Sequence, residues 1–398
     1  MATAMLDKVA RETAASGGID FALSEEQELL RAEVRRFAEE RLRPGARERD
    51  RQHEFPAGIL REAAELGLLG MLVEERHGGG GCDPLTYCLA VEEIARACPS
   101  TAVTMSVTNS VCCWPISRFG SEALKAEVLP ELASGAVLGG FCLTEPEAGS
   151  DPGSMKTTAR RDGDAWVLDG EKAWITNAGV GKWFVALART DPQAGKRGIG
   201  AFVVSAESPG FTAGPPEEKL GLRASRTAAV RFEGCRVPAS RMLGQPGEGL
   251  KIALATLDHS RLGIAAQAVG IHQRALDLAV DYARERVQFG VPIAEHQAVR
   301  FTLARMATEL AAARQLTYAA AAVSERRADA GRLACEAKLY ASEAANRACW
   351  DALQIHGGNG FSEEYEIARL YRDVRVTTIY EGTSEMQRLV VARHLLAR

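Results

Sequence analysis

One stretch of this chain, residues 139–243, contains no helix-length periodic run, while helical patterning fills the sequence on both sides of it. Within it, Trp166-Val167-Leu168-Asp169-Gly170-Glu171-Lys172-Ala173-Trp174-Ile175-Thr176 reads as two strand-like runs around an Asp-Gly turn, a hairpin signal. Residues 184–188, 201–205 and 229–232 are further strand-like runs, punctuated by Gly and Pro. Strands with no helices between them pair antiparallel rather than as βαβ units. No GxGxxG follows a strand, which argues against a Rossmann nucleotide fold.

The flanking segments carry helical periodicity and helical punctuation. Ser24-Glu25-Glu26-Gln27 has the form of a capping box, with Ser24 as N-cap and Gln27 three positions on. The run that follows extends to about Arg41, where Pro44 interrupts it, and Pro56 opens a helix with an apolar face through Ile59, Ala63 and Leu66. Apolar helices are expected over 85–97, 101–117 and 121–134. Beyond residue 247, Leu254, Leu257, Ile264, Ala268, Ile271, Ala275 and Leu278 fall on one helical face. Further helices are expected over 294–325, 332–357 and 383–396. The chain has 398 residues, more than one typical core holds. The expected organisation is mainly α with a central β domain. An N-terminal extension (1–20) precedes an N-terminal helical domain (21–138), an antiparallel β-barrel-like middle domain (139–243) and a C-terminal four-helix bundle (244–398).

Composition excludes several functions. The net charge of −4 and the lack of a basic stripe argue against nucleic acid. The nine Cys include no CxxC pair and are expected to be reduced and mostly buried. The seven His form no HExxH, so no metal site is expected. No run approaches the roughly 18 apolar residues that span a bilayer. Residues 1–20 have no apolar signal-like core and contain Asp7, Glu12 and Asp20, so the expectation is a cytoplasmic protein. His77-Gly78-Gly79-Gly80-Gly81 could mark an esterase oxyanion hole, but that requires a GxSxG that the chain lacks, so the segment is read as a turn.

Three specific segments occur in order. They are Cys142-Leu143-Thr144-Glu145-Pro146-Glu147-Ala148-Gly149-Ser150-Asp151, Gln354-Ile355-His356-Gly357-Gly358-Asn359-Gly360-Phe361 and Ile379-Tyr380-Glu381-Gly382-Thr383-Ser384-Glu385. The first offers backbone donors and hydroxyls at the junction where helices give way to strands, suited to a flat polar heterocycle. The consecutive glycines of the second allow close backbone approach to phosphate or ribose. The third presents one carboxylate on a turn.

With that order and spacing, nearly everything after residue 20 resembles the acyl-CoA dehydrogenase family of flavoproteins, most closely its short-chain branch. The resemblance implies FAD-dependent conversion of a saturated acyl-CoA to the trans-2-enoyl-CoA. Glu381 is implied as the base that removes the proton beside the thioester, and Gly382 as a close contact of that thioester. The segment from Phe141 through Cys142, Leu143, Thr144, Gly149 and Ser150 is implied to lie along the flavin, with Ser150 also touching CoA. Trp174, Ile175 and Thr176 are implied at the flavin ring, and Thr383, Ser384 and Glu385 as continuing toward the cofactor. Arg286, Phe289, Gln297 and the run Gln354, Ile355, His356, Gly357, Gly358 are implied to meet the FAD of a neighbouring subunit. That implies a homo-oligomer, a tetramer in similar enzymes, with electron-transfer flavoprotein as acceptor. Asp258, His259, Ser260 and Arg261 are implied substrate contacts. Relatives acting on branched or long chains keep their base on this helix; the matching residue here is Ser260, which cannot serve, and this favours Glu381.

The expected substrate is short, about four to six carbons by the logic of a filled tunnel. Cys112-Cys113-Trp114 departs from the short-chain pattern, and Trp114 would shorten the tunnel only if it lies near its floor. A dehydrogenase or oxidase of the same fold acting on a carrier-protein-bound, branched or longer acyl group is the alternative, and a flavin-free helical scaffold is a third reading.

Overall fold

The computed structural model describes residues 22–397, so the expected extension over 1–20 lies outside the described residues. Helix α1 (Glu25–Phe37) begins with the expected capping box: Ser24 Oγ accepts from Gln27 N at 3.2 Å, and the Gln27 side chain accepts from Ser24 N at 3.1 Å. Pro44 does not end the path. The chain passes through one wide π turn (Ala38–Leu42) and a 3₁₀ turn (Arg43–Gly45) into Ala46–Gln52. In Ala57–Glu65 the buried residues are Leu60 and Ala63, while Leu66 is exposed, so the inward face is rotated from the one expected. Helix α2 (Pro84–Ala97) is buried almost all round, and α3 (Pro99–Val107) continues through a π turn at Thr108–Cys113 into Trp114–Phe119.

The middle region contains strands β1 (Gly139–Cys142), β2 (Thr158–Asp162), β3 (Ala165–Thr176), β4 (Trp183–Arg189), β5 (Ile199–Ser205), β6 (Phe211–Pro216), β7 (Thr227–Pro238) and β8 (Met242–Leu243). Their order is β6-β7-β3-β2-β4-β5-β8, with β1 beside β4, and the path does not close into a barrel. Most pairs are antiparallel, as expected, but β1 runs parallel to β4 and β2 meets β4 in one parallel bridge. β1 enters through a narrow slot: a Cβ on Gly140 would stand 2.5 Å from the Phe184 ring.

The Asp169-Gly170 hairpin is a correction. These residues lie inside the continuous strand β3, at a register shift against β7. Gly170 has φ 146°, and a Cβ there would fall 2.6 Å from Thr157 Oγ1, so the glycine serves a bulge with close backbone approach. The β2–β3 turn is instead at Gly163-Asp164, where Asp162 pairs with Ala165.

The C-terminal helices are α4 (Gly249–Glu285), α5 (Gln297–Val323), α6 (Ala330–His356), α7 (Glu366–Val374) and α8 (Ser384–Leu396). Helix α4 does not expose a polar face along its middle. Every residue from His259 to His272 is buried, because α2 and α3 cover one side and α5 and α6 the other. Leu254, read as core, is exposed. Helix α6 packs on α4 with Ala334, Ala337, Ala341, Ala345, Ala348 and Ala352 buried. Small side chains let the two backbones approach closely. Helix α7 was not expected: its inward face carries Arg369 and Asp373, both buried, beside Ile367, Leu370 and Val374.

All nine cysteines are free, and eight are buried. Among the described residues no group of three or more His, Cys, Asp or Glu could hold a metal ion, and no helix is long and apolar enough to cross a membrane.

One buried ion pair joins β3 to the segment after β1. Lys172 Nζ, fully buried, donates to Glu145 Oε1 at 2.8 Å and to the Leu143 carbonyl at 3.2 Å. Glu145 also accepts from the backbone N–H groups of Lys156 (2.5 Å) and Thr157 (3.0 Å). Burial disfavours the Glu145 charge, but Lys172 and these donors outweigh it and hold the carboxyl below its ordinary range. Removing one partner strands a buried charge. We expect K172M to lower unfolding stability by about 3–5 kcal/mol, and K172M/E145Q to recover much of that loss in denaturant titrations. Equal losses in the single and double variants would show that the pairing is not what stabilises this segment.

Candidate active site

Helix α8 is capped by Thr383, whose side chain accepts from Met386 N. Just before it, Glu381 and Gly382 both have positive φ, 52° and 94°. A left-handed glutamate costs on the order of 1–3 kcal/mol and persists only where its surroundings over-determine it. Here four side-chain hydrogen bonds do so. Gln387 Nε2 donates to the carbonyls of Glu381 (3.2 Å) and Gly382 (2.9 Å), Arg261 Nε donates to the Glu381 carbonyl at 3.4 Å, and Lys338 Nζ donates to the Gly382 carbonyl at 2.7 Å. The Glu381 side chain then turns toward α4, where Ser260 Oγ donates to Glu381 Oε2 at 2.5 Å.

Burial is the largest influence on Glu381 and pushes its carboxyl above the ordinary range; the Ser260 hydroxyl and the charges of Lys338 and Arg261 oppose it. Arg261 is buried, ion-paired to Asp258 and 3.2 Å from Cys335 Sγ. Lys338 is fully buried, and burial pulls its ammonium down to about 8 against the attraction of Glu381. Ser260 and Arg261 thus bond to Glu381, and Asp258 reaches the site only through Arg261. His259 faces elsewhere. Its ring stacks on Trp114, with centroids 4.7 Å apart and 12° between planes, and burial holds it neutral with a value of about 4.

Tyr380, the residue before Glu381, packs on an apolar cluster. Val103, Val107, Val111 and Leu222 are buried together, and Phe141, Val376 and Tyr380 pack against them. The Tyr380 hydroxyl donates to Gln267 Oε1, and Gln267 donates to the Pro99 carbonyl at 3.0 Å. Phe141 ties this cluster to the β1 segment. The Ala173 N–H donates to the Thr144 carbonyl at 2.9 Å, fixing that segment against β3.

Several of the residues implied for the flavin have a matching character. Trp174 presents its indole 60% exposed from a left-handed backbone at the end of β3, while Ile175 beneath it is buried. Gly149 and Ser150 are exposed, and nothing lies within 4 Å of a Cβ built on Gly149. Ser384 Oγ is buried and has no hydrogen-bond partner. An exposed aromatic face, an open glycine and an orphan hydroxyl suit a flat polar cofactor, so the residues fit the group. Cys142 and Leu143 are buried in the sheet and junction cores, so that segment offers backbone rather than side chains; Thr144 and Thr176 are half-buried.

The remaining predicted residues stand apart from Glu381. Arg286 and Gln297 flank the β-hairpin of Val287–Gln288 and Val291–Pro292, and both are exposed. Phe289, at its turn, is 95% exposed with φ 54°. Gln354, Gly357 and Gly358 are exposed at the end of α6, and Ile355 is half-buried. His356 is buried, stacked on Tyr282 at 4.3 Å, with Nδ1 2.7 Å from the Ala352 carbonyl. Thr383 is half-buried and Glu385 exposed. Sequence reasoning missed Lys338, Gln387 and Gln267. A signal existed for Lys338: it sits four residues from Ala334 and three from Ala341, a lone charge in the buried alanine stripe of α6.

Comparison with known proteins accords with this architecture. Family profiles described as the N-terminal, middle and C-terminal domains of acyl-CoA dehydrogenase match residues 24–136, 140–235 and 247–396. The short-chain specific acyl-CoA dehydrogenase of Bos taurus mitochondria is 50% identical over 374 residues, which cover 94% of this chain and 91% of that protein. The structure of butyryl-CoA dehydrogenase from Megasphaera elsdenii is 42% identical, covers 95% of this chain and 100% of its own, and superposes with a TM-score of 0.93. A chain from work on the electron transferring flavoprotein of Acidaminococcus fermentans is also 42% identical, covering 96% of this chain and 100% of its own with a TM-score of 0.94. The chain belongs to the acyl-CoA dehydrogenase family and is an oxidoreductase.

Proposed function

We propose that this enzyme is an FAD-dependent dehydrogenase of short-chain acyl-CoA thioesters, with Glu381 as the base. The observation that carries this reading is the Glu381 carboxylate, fixed on a strained turn, met by the Ser260 hydroxyl and made more basic by burial. The α-hydrogen of a saturated thioester is weakly acidic, and a carboxylate raised by burial removes it more effectively than one in water. Glu381 takes the α-proton, and the backbone N–H of Glu381 donates to the thioester oxygen, where negative charge develops. FAD, when bound, supplies the acceptor for the β-hydrogen and its electron pair. Phe141, Cys142, Leu143, Thr144, Gly149, Ser150, Trp174, Ile175, Thr176, Thr383, Ser384 and Glu385 would hold it from one chain. Arg286, Phe289, Gln297 and the residues from 354 to 358 would complete the site from a neighbouring copy in a homotetramer. Asp258, His259, Ser260, Arg261, Gly382 and Ser150 are the proposed substrate-side residues. Of these, His259 stacks its ring on Trp114 and makes no hydrogen bond to Glu381.

A substrate of about four to six carbons is supported by the similarity to short-chain specific and butyryl-CoA enzymes. The acyl chain would lie against Val103, Val107 and Val111. Electron-transfer flavoprotein is the proposed acceptor, supported by the similar chain from the Acidaminococcus work.

Three outcomes are expected. E381Q should keep its flavin absorbance and lose dehydrogenation by about 10²–10⁴-fold; retention of near-normal turnover would remove Glu381 as the base. Because Glu381 must be ionised and burial raises its carboxyl, the rate of flavin bleaching by butyryl-CoA should fall as pH drops through a value above the ordinary carboxylate pKa of about 4.3. A rate that is flat down to pH 4 would contradict that. Turnover across acyl-CoA lengths should peak at about four to six carbons, and a maximum at twelve or more would reject the short-chain assignment.

A further inference from the structure

Lys338 is fully buried in the alanine-lined face that α6 turns toward α4. A buried ammonium is costly unless something compensates it. Among the described residues no carboxylate lies within 4.0 Å of it; its hydrogen-bond partner is the Gly382 carbonyl at 2.7 Å. The other cation near the base, Arg261, is already ion-paired to Asp258. Lys338 thus contributes a largely uncompensated positive charge beside the turn that carries Glu381.

The surrounding groups do not duplicate it. From α4 the site receives Ser260, Arg261 and Asp258; from α6, Cys335 and, farther along, Glu343. Tyr380, on the turn itself, and Tyr87, from α2, have phenols that burial keeps protonated. Glu385 on α8 is exposed to solvent.

We propose that Lys338 is a positioning residue for the base: its ammonium locks the Gly382 carbonyl so that Glu381 points at the substrate, and its charge keeps Glu381 ionised between turnovers. This rests on Glu381 being the base. Once the site fills with an apolar acyl chain, desolvation favours the protonated carboxyl. A fixed cation one hydrogen bond from the turn opposes that protonation while the substrate waits. The Lys338 value of about 8 leaves the ammonium charged at neutral pH.

The test uses the holoenzyme. Flavin reduction by butyryl-CoA is followed anaerobically from pH 5 to 9 in wild type, K338M, K338Q and K338R. Glutamine keeps a donor for the Gly382 carbonyl but removes the charge, so it decides the matter if the methionine variant does not fold. Loss of a positive charge raises the pKa of a neighbouring carboxyl, so the acid limb should move to higher pH in K338M and K338Q. The expected shift is about one unit, the low end for a nearby opposite charge. K338R should stay at the wild-type position. Deuterium uptake at the α-carbon from D₂O, with the flavin chemically reduced so that no oxidation follows, should show the same displacement. A uniform loss of rate with an unmoved limb would mean that Lys338 only supports the fold, and would overturn the proposal. E381Q, run in parallel, separates the two readings: if it still exchanges the α-hydrogen, the base assignment fails whatever the Lys338 variants do.

Discussion

The close approach of α4 and α6 is the constraint on which the site depends. Alanines at 334, 337, 341, 345, 348 and 352 remove side-chain bulk from one helix. The other is buried without interruption from His259 to His272. Two backbones held this close leave no room for α4 to rotate or slide. Ser260 and Arg261 are therefore fixed on one side of the Glu381 turn and Lys338 on the other. The strain at Glu381 is sustainable because these helices hold its carbonyls in place. The 37-residue α4 also reaches forward to pack on β5 of the middle sheet, which links the proposed base to the segment proposed for the cofactor.

The electrostatics of the site follow from that packing. Helices packed through alanine exclude water, and exclusion of water acts on every charge left inside. It raises Glu381 and lowers Lys338. These shifts have one cause and opposite signs, because burial always disfavours the charged form. What distinguishes Glu381 is its specific partners. The Ser260 hydroxyl donates to its carboxylate, and two buried cations lie nearby, only one of them already neutralised. A carboxylate raised by burial is a stronger base than one in water, and such partners oppose that rise.

Much of this architecture was legible in the sequence, and the exceptions share a physical reason. Periodicity placed the long helices because their apolar stripes are regular, and Ser24 with Gln27 marked the first start. It was not applied to α7, a helix of only nine residues whose inward face mixes Ile367, Leu370 and Val374 with the ion pair of Arg369 and Asp373. It failed at Asp169-Gly170, where local chemistry favours a turn but β7 pairs with β3 along both halves of the run and converts the glycine to a bulge. It could not foresee the parallel β1–β4 pair, since strand direction is set by where the chain enters the sheet. Within the site, the turn and its α4 partners were signalled by motif. Lys338 and Gln387 were not, because each acts by donating to a backbone carbonyl, and a carbonyl leaves no trace in the sequence.

This bears on how the proposed base can be held on a turn rather than on a rigid helix. A glutamate on α4 at the position of Ser260 would inherit its aim from the helix. A glutamate on a turn must have its aim imposed, and backbone torsions are soft unless their carbonyls are tied. Here both carbonyls are tied, that of Glu381 by Arg261 and Gln387 and that of Gly382 by Lys338 and Gln387. The donors come from three separate helices, so no one of them can move without breaking bonds to the same two atoms. Ser260, left where a helix-borne base would have stood, has a hydroxyl short enough to meet the incoming carboxylate rather than displace it. Ser260 is thereby one of the residues that orient Glu381, the proposed base.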